Sequence, residues 1–252
     1  MKKLIVSGCS WGDKIFFSQL HPDMNCDWPK WPELLAQKLN MECVNLCKCG
    51  AGQEYIYSSI SDYIQTINKN EIGCVIAAWS TAPRRCYKVK NRWVNDREDI
   101  RGDLAYWTER SIRYQYAFQN LMEQEKLPYL HFQMISLYRG HLWEVRNNKI
   151  AKENLKISEI ENFNAEKLTA VGRRILDEDT ELRTNVLTSI KNSPYYNKFN
   201  DKFFNWPTDE ELGGFSIEFE VLEEKHKISK LDRHPNKLGH ERIAEYLYDR
   251  ME

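Results

Sequence analysis

No apolar run in this chain approaches the roughly 20 residues that a helix needs to cross a bilayer, which excludes a helical membrane span. An excess of charge of one sign is also missing. The 36 basic and 37 acidic side chains leave a net charge of −1, which removes the global electrostatic case for a nucleic acid or an anionic membrane surface as partner. Internal repeats and low-complexity segments are absent, so a solenoid is not indicated. The seven cysteines, Cys9, Cys26, Cys43, Cys47, Cys49, Cys74 and Cys86, contain no Cys-x-x-Cys spacing. Cys43, Cys47 and Cys49 lie close together, yet no nearby pair of histidines completes a metal site, so no metal is expected. An odd number of dispersed cysteines reads as reduced thiols, as in the cytoplasm. The apolar run after Met1-Lys2-Lys3 is too short for a signal peptide and suits a strand better.

What the chain does contain is ordinary for a globular protein: 42% hydrophobic and 29% charged residues over 252 positions. One domain spanning 1–252 is expected, with 138–230 as an insertion or cap because its pattern is weak. The clearest signals alternate between strand and helix. Leu4 to Val6 is a short buried strand. Pro32 opens a helix carrying Leu34, Leu35 and Leu39. Met41 to Leu46 is a second strand, and a second helix carries Ile56, Ile60, Ile64 and Ile67. Ile72 to Trp79 reads as a central strand buried on both faces. A polar stretch from Arg84 to Gly102 reads as loop. A long amphipathic helix follows from Asp103 to Lys126, then a strand from Tyr129 to Ile135. Helical pieces are expected at Asn164 to Leu176 and Asp179 to Lys191, an aromatic loop at Tyr195 to Pro207, and a last helix carrying Leu238, Ile243, Ala244 and Leu247. The alternation predicts an α/β fold with a central parallel sheet covered on both faces.

Chemistry concentrates at the strand ends. Gly8-Cys9-Ser10 breaks the first strand at once and delivers a serine hydroxyl to the sheet rim. Gly8-Cys9-Ser10-Trp11-Gly12 also spells the G-x-S-x-G elbow of α/β-hydrolases. That fold places its oxyanion loop and several strands before the nucleophile, and only nine residues precede Ser10. A serine needs a base, and His234 supplies a candidate in the loop before the last helix. Asp232, two residues away, is placed to accept the Nδ1 proton and fix the tautomer. The same loop also reads as a helix-entry turn capped by Asn236 or Asp232. In parallel sheets the ligand crevice lies beyond the carboxyl ends of the strands, which brings Ser10, Gly50, Ser80 and Thr81 to one rim.

These residues together resemble the SGNH (GDSL-like) hydrolases. Gly8-Cys9-Ser10 matches the first block of that family. Asn45-Leu46-Cys47-Lys48-Cys49-Gly50 matches the second, and Asp232-Arg233-His234-Pro235-Asn236 the last. Trp31-Pro32-Glu33-Leu34-Leu35-Ala36 is similar to the family's first helix. The resemblance implies a flavodoxin-like three-layer α/β/α fold, Ser10 as nucleophile, His234 as base, Asp232 as its partner and Gly50 N–H as an oxyanion donor. It implies no cofactor. Three departures stand out. Cys9 occupies the usual Asp position, and the Asp–His separation is two rather than three. The third block, Gly-x-Asn-Asp, is absent, so the Asn amide donor is replaced near Thr81 or Ser80. Arg84 and Arg85 read as anchors for an anionic substrate or as a solvated basic loop, and Trp11 as a stacking surface for sugar or as loop packing. His240 reads as a first-turn helix residue. The implied function is a serine esterase or acyltransferase acting on a small or glycan ester. From a different class, the missing third block also fits a binding or assembly protein that keeps the fold.

Overall fold

The computed structural model describes residues 1–96, 102–137, 170–206 and 215–251. Its elements are β1 (Lys3–Ser7), α1 (Trp31–Lys38), β2 (Glu42–Asn45), α2 (Gln53–Ile64), β3 (Ile72–Trp79), β4 (Arg85–Val89), β5 (Arg92–Asp96), α3 (Leu104–Gln124), β6 (Tyr129–Gln133), α4 (Ala170–Lys191), α5 (Ile217–Glu220) and α6 (Lys237–Tyr248). Four strands form a parallel sheet in the order β2-β1-β3-β6. The order reverses after β1, as in flavodoxin-like sheets. Right-handed crossovers in opposite directions put their helices on opposite faces. Accordingly α1 packs with α6 and α2 packs with α3. This is the three-layer α/β/α architecture that the resemblance implies.

The sheet centre is dry. Leu4, Ile5, Val6, Val75, Ile76 and Ala77 are fully buried, as expected of strands covered on both faces. Alternate side chains of β6 serve different layers. Phe132 meets Trp31 of α1 edge-on at 6.0 Å, whereas His131 lies among Trp79, Phe118 and Phe203. His131 is fully buried and its Nδ1 accepts the indole N–H of Trp79 at 3.1 Å. Burial pulls its pKa down to about 3, so the ring is neutral at ordinary pH.

Two parts of the fold differ from the sequence reading. The stretch from Arg84, expected as loop, forms the antiparallel hairpin β4–β5. Its two turn residues, Lys90 and Asn91, have φ of 47° and 61°, the left-handed pair that matches strand twist. Lys-Asn carries no glycine, so the usual hairpin signal was missing. The two helical pieces expected in the later chain are one helix, α4, running unbroken through the Leu176–Asp179 junction; residues 164–169 lie outside the described residues. Its Val186 and Ile190 close a second apolar cluster with Trp107, Ile112, Leu137 and Ala82. The aromatic segment after Tyr195 runs along β6, whose His131 N–H donates to Lys202 and whose carbonyl accepts from Phe204. That pairing covers an otherwise open sheet edge.

The start of α6 is built by side chains. Asn236 caps it by accepting the Gly239 N–H at 3.0 Å, and its amide donates to the carbonyls of Lys225 and Lys227. The chain therefore passes so close to the helix that a Cβ on Gly239 would stand 2.2 Å from the His226 carbonyl oxygen. Gly239→Ala is expected to lower stability by about 1–3 kcal/mol through overpacking against backbone, read as a drop in thermal midpoint.

A second expectation concerns acid. The unfolded chain protonates His131 below about 6.5, while the folded chain resists protonation down to about 3. Stability therefore falls as pH drops through that window. Replacing His131 with Phe removes the Trp79 acceptor and lowers the midpoint at neutral pH. It should also flatten the fall between pH 6.5 and 4, and an unchanged slope in thermal melts would contradict this account.

Candidate active site

Ser10 follows β1 directly, in a turn closed by the Gly12 N–H donating to the Cys9 carbonyl. Gly12 is required there, since a Cβ would meet Cys47 Sγ at 2.6 Å. The Ser10 side chain is nearly buried, and its Oγ lies 2.8 Å from His234 Nε2. His234 Nδ1 in turn donates to Asp232 Oδ1 at 2.6 Å, and the same carboxylate oxygen accepts the His234 backbone N–H at 3.1 Å. The three side chains thus form one hydrogen-bonded line, and this arrangement can pass a proton from a hydroxyl to an imidazole held by a carboxylate.

The line is oriented from outside. Phe16 lies over the His234 ring with centroids 4.4 Å apart, and Trp11 stands 6.2 Å away. Burial alone would push the Asp232 carboxyl up. Hydrogen bonds from His234 and from the Ser18 hydroxyl outweigh it and hold the pKa at about 2. Asp232 is therefore anionic at neutral pH. The loop carrying it is pinned on both sides, by Ile228 N–H to the His234 carbonyl and by the antiparallel bridge of Lys227 with Pro235. In this loop Asn236 caps the helix, while the Asp232 carboxylate accepts from His234.

The second-block turn sits beside Ser10 through three ties. Lys48 N–H donates to the Gly8 carbonyl at 3.0 Å. Asn45 Nδ2 donates to the Gly12 carbonyl and to Glu33, both at 2.8 Å, while its Oδ1 accepts the Cys47 N–H. Asp13, buried, accepts the Cys49 N–H at 2.7 Å through one oxygen and the Ile15 N–H through the other. Gly50 has φ of +75°, which suits glycine. Among the described residues, the N–H groups of Ser10 and Gly50 have no acceptor.

The other expected residues fall differently. Thr81 does not offer its hydroxyl to the rim; it donates to the Leu137 carbonyl at 3.0 Å, the same carbonyl that accepts the Ala82 N–H. Ser80 is fully buried, and its Oγ accepts from Arg84 Nη1 at 2.8 Å. Arg84 is no solvated loop residue: it is half-buried and also reaches the Ala51 carbonyl. Arg85 opens β4 and packs over the Tyr87 ring. Trp11 is buried in the main core, so its faces are packed. His240 lies in the first turn of α6 as expected, where its Nδ1 accepts the Trp31 N–H, and burial holds it neutral with a pKa of about 3.

Asp13 and Ser18 were missed in the sequence. For Asp13 the signal was its place immediately after Gly12. Ser18 offered none, being one polar residue in an irregular loop. Among the described residues no three side chains of metal-binding type cluster, and no helix is long and apolar enough to cross a membrane.

No family model matches the chain, and no curated protein matches it. The solved structures to which this chain is distantly similar include the following two. One is a G-D-S-L family protein described as lipolytic, from Desulfitobacterium hafniense DCB-2, at 13% identity and a TM-score of 0.35 over 72% of this chain and 99% of that one. The other is a lipase from a goat rumen metagenome, at 10% identity and a TM-score of 0.46 over 99% of this chain and 97% of that one.

Proposed function

We propose that this chain is an ester hydrolase of the SGNH type that works through Ser10, His234 and Asp232. The single observation that supports it most is the unbroken hydrogen-bonded line from Ser10 Oγ through His234 to Asp232. In this reading Ser10 Oγ attacks the acyl carbon while His234 Nε2 takes its proton. The oxyanion so formed is held by the N–H groups of Ser10 and Gly50. Collapse breaks the bond to the alcohol, which leaves with the proton from His234. A water then attacks the acyl-serine and gives its proton to His234, and collapse frees the acid as His234 returns that proton to Ser10 Oγ. If a second hydroxyl replaces water, the same steps make an acyltransferase, and product analysis separates the two.

The polar flank supports a polar alcohol such as an acylated sugar. Arg233, beside His234 in sequence, reaches Glu218 at 3.3 Å, and Arg84, just before β4, lies half-buried and reaches back to Ser80. Cytoplasmic placement follows from the reduced-thiol reading of the seven cysteines.

One observation favours a second reading. With Thr81 turned onto Leu137, a donor that the family takes from its third block is lacking at this position, and one oxyanion donor is worth on the order of 10²–10³ in rate. A protein that keeps the fold for binding or assembly would tolerate that loss. Hydrolysis of para-nitrophenyl acetate separates the readings. The esterase reading expects turnover by the wild type and a fall on the order of 10³ or more in Ser10→Ala. It also expects a fluorophosphonate probe to label the wild type quickly and His234→Ala slowly. Equal hydrolysis by wild type and Ser10→Ala would end the esterase reading, and absence of labelling would favour the binding protein.

A further inference from the structure

We infer that Ser18 is a positioning residue for the Ser10–His234–Asp232 line, acting on Asp232 from the side opposite His234. This inference deepens the esterase reading and rests on it. Asp232 has two carboxylate oxygens with separate tasks. Oδ1 takes both hydrogen bonds from His234, while Oδ2 takes the Ser18 hydroxyl at 2.5 Å. A carboxylate filled on one oxygen only is free to rotate about its last torsion. A donor on the second oxygen removes that freedom and fixes the plane in which His234 is held.

Ser18 is itself fixed. It is fully buried, and its Oγ accepts the His21 backbone N–H at 3.0 Å, which directs its own hydrogen to Asp232. The chain then turns back on the catalytic loop. His21 Nε2 lies 2.8 Å from Ser229 Oγ. That oxygen already accepts the N–H groups of Asp232 at 2.9 Å and Leu231 at 3.2 Å. Its own hydrogen is therefore left for His21 Nε2, which makes His21 the acceptor. The result is a closed ring: Asp232 carboxylate, Ser18, His21, Ser229 and the Asp232 backbone. The segment after β1 thus grips both the side chain and the main chain of the residue that orients His234. Charge-assisted bonds of this kind are short and roughly twice as strong as neutral ones.

Loss of this donor has a readout that mere loop packing would not move. Without Ser18 the Asp232 carboxylate is less stabilised, hence more basic, and it holds a proton on His234 more firmly. The acid limb of the kcat/KM profile, which reports protonation of the base, should then move to higher pH.

The test measures para-nitrophenyl acetate hydrolysis from pH 5 to 9 for wild type, Ser10→Ala, Ser18→Ala and Ser18→Cys. Ser10→Ala is expected to be inactive. Ser18→Ala is expected to lose roughly tenfold in kcat, the worth of one hydrogen bond to a charged group, with KM little changed and the acid limb shifted upward. Ser18→Cys, which is slightly larger and keeps a weaker donor, should show both effects in smaller measure, and it carries the test should Ser18→Ala not fold. Activity retained in Ser10→Ala would overturn the esterase reading itself. An inactive Ser10→Ala beside Ser18 variants of wild-type rate would overturn only the role of Ser18. So would a rate loss with an unmoved acid limb, which is the mark of loop damage.

Discussion

The hydrogen bond between Ser10 and His234 joins positions 224 residues apart at 2.8 Å, and the rest of the structure exists to bring those two loops to one rim. One such hydrogen bond contributes little net stability by itself, about 1 kcal/mol. It cannot hold two ends of a chain together. The burial of β1 between β2 and β3 fixes one end, and the seating of α6 on α1 fixes the other. The contact is a consequence of those layers.

Precision at the rim comes from polar ties rather than from apolar packing. Asp13 and Asn45 stitch the second-block turn to the turn after β1, so that Gly50 and Ser10 share a frame. Asn236 does the same for the His234 loop by capping α6 and binding Lys225 and Lys227 together. Each of these side chains satisfies backbone groups that a tight turn would leave without partners. A buried polar group left unpaired costs more than the bond returns, which makes such turns single-valued. The Asp232 carboxylate follows the same logic, with every strong donor around it aimed at one orientation.

Much of this was legible in the chain. The apolar runs of β1 and β3 are strong because strands covered on both faces need no alternation. Ser10, Gly50, Asp232 and His234 stood out because each sits where a strand or loop meets a helix signal. The hairpin β4–β5 was not legible, since its turn uses Lys90 and Asn91 without glycine and its strands carry charge. Thr81 could be placed on the rim by topology. Its rotation onto Leu137 depends on a carbonyl 56 residues away, which no local pattern encodes. Arg84 looked solvated for the same reason, because its partners, Ala51 and Ser80, come from other turns.

The amino-acid sequence by itself determined the order of the four parallel strands and of the helices that cover them, the dry centre of the sheet, and which residue types stand at its carboxyl edge. These follow from periodicity and from the chemistry of glycine, proline and capping side chains, all of which act over a few residues. The tertiary structure alone decided which hydroxyls remain available and which are taken: Ser10 faces His234, Thr81 faces a carbonyl, and Ser18 backs Asp232. The reason is that a hydrogen bond is made with whatever acceptor lies within about 3 Å, and in a folded chain that neighbour is set by packing across the sheet, not by position along the chain.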